Sequence, residues 1–381
     1  MRLRGRARLG IATILTLTLV VAVPGTVAAA ETRQGSDKRQ LTVMTQNLYL
    51  GSSLNQAITA ASASEFIDAV ARIYGTAVFT NFPQRAEAIA DTVAAEKPDL
   101  IGLQEVTRWI AQPTVAGPTP PSYDFLAILS AELMERGLDY RVEAVSENAN
   151  IGPVPLVAPG FGCTTVGPPP NCVVTLQDRD VILVNDDTPG LRVLDSHTGH
   201  YAAQEVLQLP IGAPASFARG WAYVNGRFEG KKFRFVNTHL EVERYADTQE
   251  AQAQEFLAGP ARAAGAVIAV GDFNSAADPA EQSTTTYDDL TAAWFKDAWL
   301  QVNPDDPGLT CCQSSTLTNT SSQLRTRIDL ILTHGPVRSQ AAAVVGATPI
   351  SVVAPPFWAS DHAGVVATLR LHRLGGPTLT V

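Results

Sequence analysis

The chain has 381 residues, 45% hydrophobic and 17% charged, with 25 Pro, 28 Gly and a formal charge of −9. This balance excludes a disordered, solvating chain and leaves room for a buried core in one large domain or two ordinary ones. The negative sign argues against a surface that grips polyphosphate by electrostatics alone, since such surfaces are basic, but it leaves open phosphate chemistry mediated by a cation.

Residues 1–30 have the three parts of a secretory signal. Arg2, Arg4, Arg6 and Arg8 form a basic start, Ile11 to Val23 an apolar stretch, and Ala28-Ala29-Ala30 a small-residue cleavage site. The apolar run is 13 residues, short of the roughly 20 that span a bilayer, so export is expected, with an uncleaved anchor as the alternative. Losing four arginines takes the charge from −9 to −13. Residues 31–40 read as a polar linker. The expected location is extracellular, without a stable membrane anchor and as a monomer. Export makes the four cysteines candidates for disulfides. Cys163 and Cys172 flank a turn-rich segment, which favours their pairing. The adjacent Cys311 and Cys312 could bond to each other, remain thiols or pair elsewhere. Zinc is disfavoured, because neither pair has the spacing of a zinc site.

Short apolar runs predict buried strands at Leu41 to Thr45, Leu100 to Leu103, Val181 to Val184, Phe233 to Val236, Val267 to Val270, Ile328 to Leu332 and Val365 to Leu369. Helical periodicity predicts helices over Gln84 to Glu96, Tyr123 to Arg136 and Asp247 to Ala258. Trp221 to Val236 reads as a hairpin turning at Glu229-Gly230. Interleaved strands and helices indicate an α/β layered domain. Ala111 to Pro121, Asn150 to Asn171 and Pro304 to Gln323 are rich in turn formers and are expected to be long surface loops. With no repeat and no linker beyond residue 40, one domain over 41–372 is expected.

The informative residues stand where the apolar runs end: Gln46-Asn47, Gln104-Glu105, Asn237-Thr238-His239, Gly271-Asp272-Phe273-Asn274, Asp329, and Ser360-Asp361-His362. A carboxylate or imidazole at the end of a buried strand meets low dielectric unless it is paired or solvated. Singly, each has a structural explanation: Glu105 as a cap, Asp272 as a strand terminator, His239 and His362 as satisfied core histidines. Together they imply convergence, and carboxylates with amide oxygens are the ligands that Mg²⁺ or Ca²⁺ prefers.

The order of these segments resembles the endonuclease/exonuclease/phosphatase superfamily, the deoxyribonuclease I-like fold. Leu103-Gln104-Glu105, Gly271-Asp272-Phe273-Asn274 and Ser360-Asp361-His362 are the most specific matches, and the resemblance spans residues 41 to 369. It implies a single-domain four-layer α/β/β/α sandwich of two mixed sheets flanked by helices. It also implies a divalent-metal-dependent phosphoester hydrolase, with Mg²⁺ expected and Mn²⁺ or Ca²⁺ as alternatives. Such an enzyme places a cation on the phosphate and an activated water in line.

By this resemblance Glu105 is the principal metal carboxylate, with Asn47 nearby and Asp361 at a metal or holding the site. Asp272 orients or deprotonates the attacking water, and Asn274 helps hold it. His239 and His362 flank the phosphate as imidazolium donors, either one able to transfer a proton, and Asp329 orients His362. Asp178 or Asp180 is the candidate partner of His239. Tyr49 stands where some members carry an acidic metal residue, which favours one metal over two. Arg219 is a candidate phosphate contact, His197 and His200 are expected on a surface loop, and Phe357-Trp358 is either an apolar lip or packing. The substrate is expected to be nucleic acid or a phospholipid headgroup ester. A secreted binding protein that keeps the fold without turnover is the alternative from another class.

Overall fold

The computed structural model describes residues 39–212, 214–351 and 357–373; the expected signal over 1–30 and most of the linker over 31–40 lie outside them. The strands are β1 (Leu41–Asn47), β2 (Leu100–Gln104), β3 (Arg108–Pro113), β4 (Tyr123–Asp124), β5 (Tyr140–Pro155), β6 (Cys172–Asn185), β7 (Leu191–His200), β8 (Glu205–Gln208), β9 (Pro214–Phe217), β10 (Gly220–Phe228), β11 (Lys231–His239), β12 (Ala266–Asp272), β13 (Lys296–Asp297), β14 (Asp329–His334), β15 (Val337–Val345) and β16 (Gly364–Leu371). The helices are α1 (Asn55–Ile58), α2 (Ala63–Phe79), α3 (Phe82–Glu96), α4 (Phe125–Glu135), α5 (Ala246–Ala258) and α6 (Thr286–Ala292).

One sheet runs β15-β16-β1-β2-β6-β3-β4 with β5 added on β6, the second runs β13-β14-β12-β11-β10-β7, and β8-β9 form a separate ribbon. Both sheets are mixed: β1 with β2 and β11 with β12 are parallel, their other pairs antiparallel. The central strands are covered on both faces, which is why they read as unbroken apolar runs. Leu41, Val43, Leu100 and Ile182 from one sheet meet Val224, Phe235, Ile268 and Ile331 from the other in the middle core. Outside the first sheet lie α2, α3 and α4, burying Phe66, Ile73, Phe82, Ile89 and Leu129. Phe256 of α5 and Leu290 of α6 pack on the second. This is the expected four-layer α/β/β/α sandwich.

The sheets touch closely just below the strand ends. A Cβ on Gly102 would stand 2.5 Å from Val270 Cγ2 and 2.7 Å from Asn237 Oδ1, so only glycine lets the layers approach here. Asn237, fully buried, donates through Nδ2 to Leu103 O at 2.9 Å and Val181 O at 3.1 Å, and accepts from Gln104 Nε2 at 2.6 Å. A fully satisfied polar bridge of this kind fixes the relative register of the two sheets.

Three expectations need correction. Residues 111–113 belong to β3, and residues 150–155 to β5, so those two loops are shorter than the turn-former count implies; Pro304 to Gln323 is irregular as expected. His197 and His200 lie on β7, not on a loop. The helix expected from Tyr123 starts at Phe125, after Asp124 caps it by accepting from the Leu126 and Ala127 amides. The long strands β5 and β7 escape the apolar-run criterion for physical reasons. Three register shifts break the alternation of β5, and β7 is a mostly exposed edge strand whose polar side chains face solvent. The Cys163–Cys172 bond forms, and the sulfurs of the adjacent Cys311 and Cys312 are in contact.

Candidate active site

Strand register brings the site together. Across β11 and β12 His239 stands beside Asp272, and across β12 and β14 Asp272 stands beside Asp329. In the other sheet Asn47 ends β1 beside Gln104, and Glu105 follows directly. The antiparallel β16 begins just after His362. Glu105, Arg219, His239, Asp272, Asn274, Asp361 and His362 line one cleft of about 490 Å³, and Asn47 and Asp329 contact two of these, Asp272 and His362.

His362 is the best-determined member. Its Nδ1 lies 2.8 Å from Asp329 Oδ2, and Asp329 is fully buried with its other oxygen unpartnered among the described residues. Burial alone would strip the proton from His362, but the carboxylates of Asp329, Asp272 and Asp361 outweigh it and hold the imidazolium well above its ordinary range. Its backbone N–H donates to Ser360 Oγ, which in turn donates to Asn47 O at 2.8 Å. That is the physical work of the serine in Ser360-Asp361-His362.

Asp272 Oδ1 accepts from the Asn274 amide at 2.9 Å and Oδ2 from Asn47 Nδ2 at 3.0 Å. Burial pushes its carboxyl up to about 7, with the His362 charge opposing and Asp329 assisting. Asn274 sits at φ +49° and Glu105 at φ +53°. Non-glycine residues in this left-handed region are uncommon and gather at functional sites. The Asn274 side chain donates to Leu240 O at 2.9 Å.

The two histidines differ, where the sequence assigns them one role. His239 is held neutral: burial, the Arg219 guanidinium and the His362 charge all depress its pKa well below the usual range. Arg219 Nη1 lies 3.0 Å from His239 Nδ1. A guanidinium only donates, so Nδ1 accepts and the ring proton sits on Nε2. Nε2 is 3.5 Å from Asp272 Oδ2. Arg219 is itself gripped side-on by buried Glu241, at 3.2 and 3.4 Å. Among the candidates for the partner of His239, the Nδ1 contact therefore belongs to Arg219.

Asp178 and Asp180 gather within 4.8 Å of a His239 ring nitrogen, as one ligand atom each. Asp180 Oδ2 accepts from Asn148 Nδ2 at 2.8 Å, and one oxygen of each aspartate is buried without a partner among the described residues. Burial, with Glu105 adding to it, pushes Asp178 up to about 7.

For a cation the donor set fits. Asp361 Oδ1 is buried without a hydrogen-bond partner among the described residues, 4.0 Å from His362 Nε2, and Glu105 lines the same cleft with its Oε2 tied to the Leu50 amide at 2.6 Å. Burial pushes the Asp361 carboxyl up to about 7; His362 opposes this and Glu105 adds to it. A buried carboxylate facing a second negative charge favours a cation or a proton on it, and hard oxygen donors suit Mg²⁺. Asn47 stands behind this pair with both polar atoms engaged, Nδ2 on Asp272 and Oδ1 on the Tyr49 amide at 2.8 Å. Tyr49 donates its hydroxyl to Ser315 O at 2.7 Å.

Two supporting residues carry no motif. Glu241 follows His239 by two on the same strand direction, and that alternation was its available signal. Arg85 is fully buried and donates to the backbone oxygens of Thr80, Leu48, Ala359 and Tyr49; its signal was a charge at an apolar-stripe position of α3. Trp358 is packed with Tyr49 and Leu317 and donates Nε1–H to Asn319 O at 2.9 Å, so it builds the core beneath the cleft rather than a lip. His197 is exposed on β7 beside Asp195 and Tyr223.

The sequence matches the model of the Endonuclease/Exonuclease/phosphatase family over residues 44–362. No protein of curated function matches it. Among solved structures, the fold is similar to a family protein from Leptotrichia buccalis (TM-score 0.54, 15% identity, 86% of this chain and 99% of that one). It is similar as well to a family protein from Bacteroides thetaiotaomicron (0.53, 18%, 88% and 99%). A third is a mannosyl-6-phosphatase of Bacteroides thetaiotaomicron VPI-5482 (0.51, 19%, 86% and 99%).

Proposed function

Because the chain belongs to the endonuclease/exonuclease/phosphatase family, whose membership supports a metal-dependent phosphoester hydrolase, we propose that it is an exported phosphodiesterase that attacks phosphorus with water. The observation that carries this is the convergence of a neutral and a charged histidine on one buried aspartate, beside two carboxylates fit to hold a cation. Glu105 and Asp361 would hold the metal, Mg²⁺ by donor chemistry, and a bound divalent cation would neutralise phosphate charge.

The remaining roles belong to the chain's own groups. Asp272, poised near neutrality, accepts the proton of the attacking water, since a base with a pKa near the working pH combines availability with strength. Asn47 and the Asn274 amide keep its oxygens aimed. His239 offers Nε2–H to a phosphoryl oxygen and cannot serve as base, because its lone pair is taken by Arg219. His362 carries the proton destined for the leaving oxygen, and Asp329 keeps it charged. A diester fits better than a monoester: the cleft is lined by Glu105, Glu205, Glu241, Asp272 and Asp361, while its one arginine is neutralised by Glu241. Each extra negative charge on the substrate is therefore opposed.

The test is hydrolysis of bis(p-nitrophenyl) phosphate by the full mature chain with Mg²⁺, Mn²⁺ or Ca²⁺. Activity should vanish in EDTA and return with the cation, and His362→Ala and Asp272→Ala should each lose about 10²–10⁴-fold in kcat. Undiminished activity in EDTA, or in either variant, would refute the mechanism. Plasmid DNA, RNA, sphingomyelin vesicles and inositol phosphates run in parallel separate the substrate classes.

A further inference from the structure

Beside the cleft the chain builds a second cavity of opposite chemistry. It holds about 60 Å³ between α1, α2 and the strands β3, β5 and β6, and its wall toward the cleft is made of Leu54, Ile58 and Phe217, which line both spaces. Val70 of α2 and Trp109 of β3 form its floor. All its lining side chains are apolar, and the single polar atom among them, the Trp109 indole N–H, is already spent on Leu50 O at 2.8 Å. Nothing there can hold a water by the two to four hydrogen bonds a buried water needs.

Well-packed interiors leave few voids larger than a water, and this one shares its Leu54, Ile58 and Phe217 wall with the cleft that holds the candidate reacting groups, as ligand sites combine an apolar wall with a few polar anchors. Leu54, Ile58 and Phe217 line the same cleft as His239 and His362, so an ester substituent of a phosphoryl group bound there that reached these three side chains would meet an apolar wall. An RNA would bring 2′-hydroxyls, and a DNA its sugar ring oxygens and neighbouring phosphates, to that wall, where they find no partner and lose their hydration. The volume is below the ~150 Å³ of a cavity that takes up benzene, which suits a short aliphatic chain. Resting on the phosphodiesterase reading above, we propose that this cavity is a specificity subsite for the apolar ester substituent, so that the enzyme selects phosphodiesters bearing a short alkyl group next to phosphorus.

The experiment is a series of p-nitrophenyl alkyl phosphates, methyl through hexyl, hydrolysed by the mature chain with Mg²⁺. In the wild type kcat/KM should rise about fourfold for each of the first methylenes, the factor for burying one CH₂, and then level off as the cavity fills. Ala57→Phe, which places a ring in the cavity away from every reacting group, should flatten the rise while leaving the methyl ester's rate within about twofold. Val70→Ala, which enlarges the floor, should carry the rise to longer chains; this arm decides the matter if Ala57→Phe fails to fold by circular dichroism. A wild-type rate flat across the series, or a rise that neither variant alters, overturns the subsite and leaves the diesterase standing. Failure to hydrolyse any member with Mg²⁺, Mn²⁺ or Ca²⁺ overturns both.

Discussion

His239 and His362 carry the same ring and sit 2% and 8% exposed, yet their neighbours drive them apart. Asp329 faces the Nδ1 of His362 and Arg219 faces the Nδ1 of His239; one contact stabilises the cation and the other opposes it. Arg219 thereby becomes a positioning residue for His239, and Glu241 holds it in place. Replacing Arg219 with Met removes both the donor to Nδ1 and the positive field. The ring of His239 should then sample both tautomers, and its pKa should rise, because one of the three depressing causes is gone while burial remains. Nitrogen-15 NMR of the metal-free protein reads both changes, and kcat should fall about 10²-fold, the scale of a misoriented group. A variant whose His239 stays on one tautomer would show that Arg219 merely fills space. None of this is visible in a motif: Arg219 precedes β10 and His239 ends β11, and they meet only because the hairpin pairs Trp221 with Thr238.

At the scale of elements, the site hangs on loops that follow β1 and precede β16, and one helix side chain ties them. Arg85 of α3 donates to the carbonyls of Leu48 and Tyr49 on one loop and Ala359 on the other, and burial lowers its pKa to about 10 against the pull of Asp361. Arg85→Met keeps volume but orphans these carbonyls at about 1–3 kcal/mol each. Urea denaturation should show a loss of at least about 3 kcal/mol, and activity should fall with it because Asn47 and Asp361 flank the loosened segments. A stability within 0.5 kcal/mol of wild type, the range of a neutral surface change, would refute the role. The central strands were readable from their apolar runs, and α3 from its periodicity. The α2 helix (Ala63–Phe79) was not among the expected helices, although Ser62 caps it at the Glu65 amide; β5 and β7 were missed because bulges and edge exposure remove the periodic signal.

For the whole molecule, charge and compartment belong together. The mature chain is expected to carry −13 after loss of the four N-terminal arginines, and its cleft is acidic as well, a field that opposes an anionic phosphoester unless a cation offsets the carboxylates. The Cys163–Cys172 bond fits an oxidising compartment, and among the described residues no helix is long and apolar enough to cross a membrane. Expressed with its leader in a secreting host, the protein should be recovered from the medium with Glu31 as its first residue, as N-terminal sequencing would show. Retention in the membrane fraction with Met1 or Arg2 intact would instead mark an anchor.

The polar strand ends were legible in the chain because they are local: an apolar run followed within two residues by a carboxylate or imidazole needs no knowledge of what lies opposite. The family was legible from the order of those segments, and the four-layer architecture came only as what that resemblance implies. Partnership was not legible. Whether Nδ1 of His239 meets Asp178, Asp180 or Arg219, whether Asn47 faces a cation or Asp272, and whether Trp358 lines a lip or a core depend on strand register and sheet separation. A side chain's protonation, tautomer and accessibility are set by groups within about 4–6 Å, and here those groups come from residues as far apart as Asn47 and Asp272 or Arg85 and Ala359. Folding creates that proximity, and with it the opposite protonation of two histidines that look alike in the sequence.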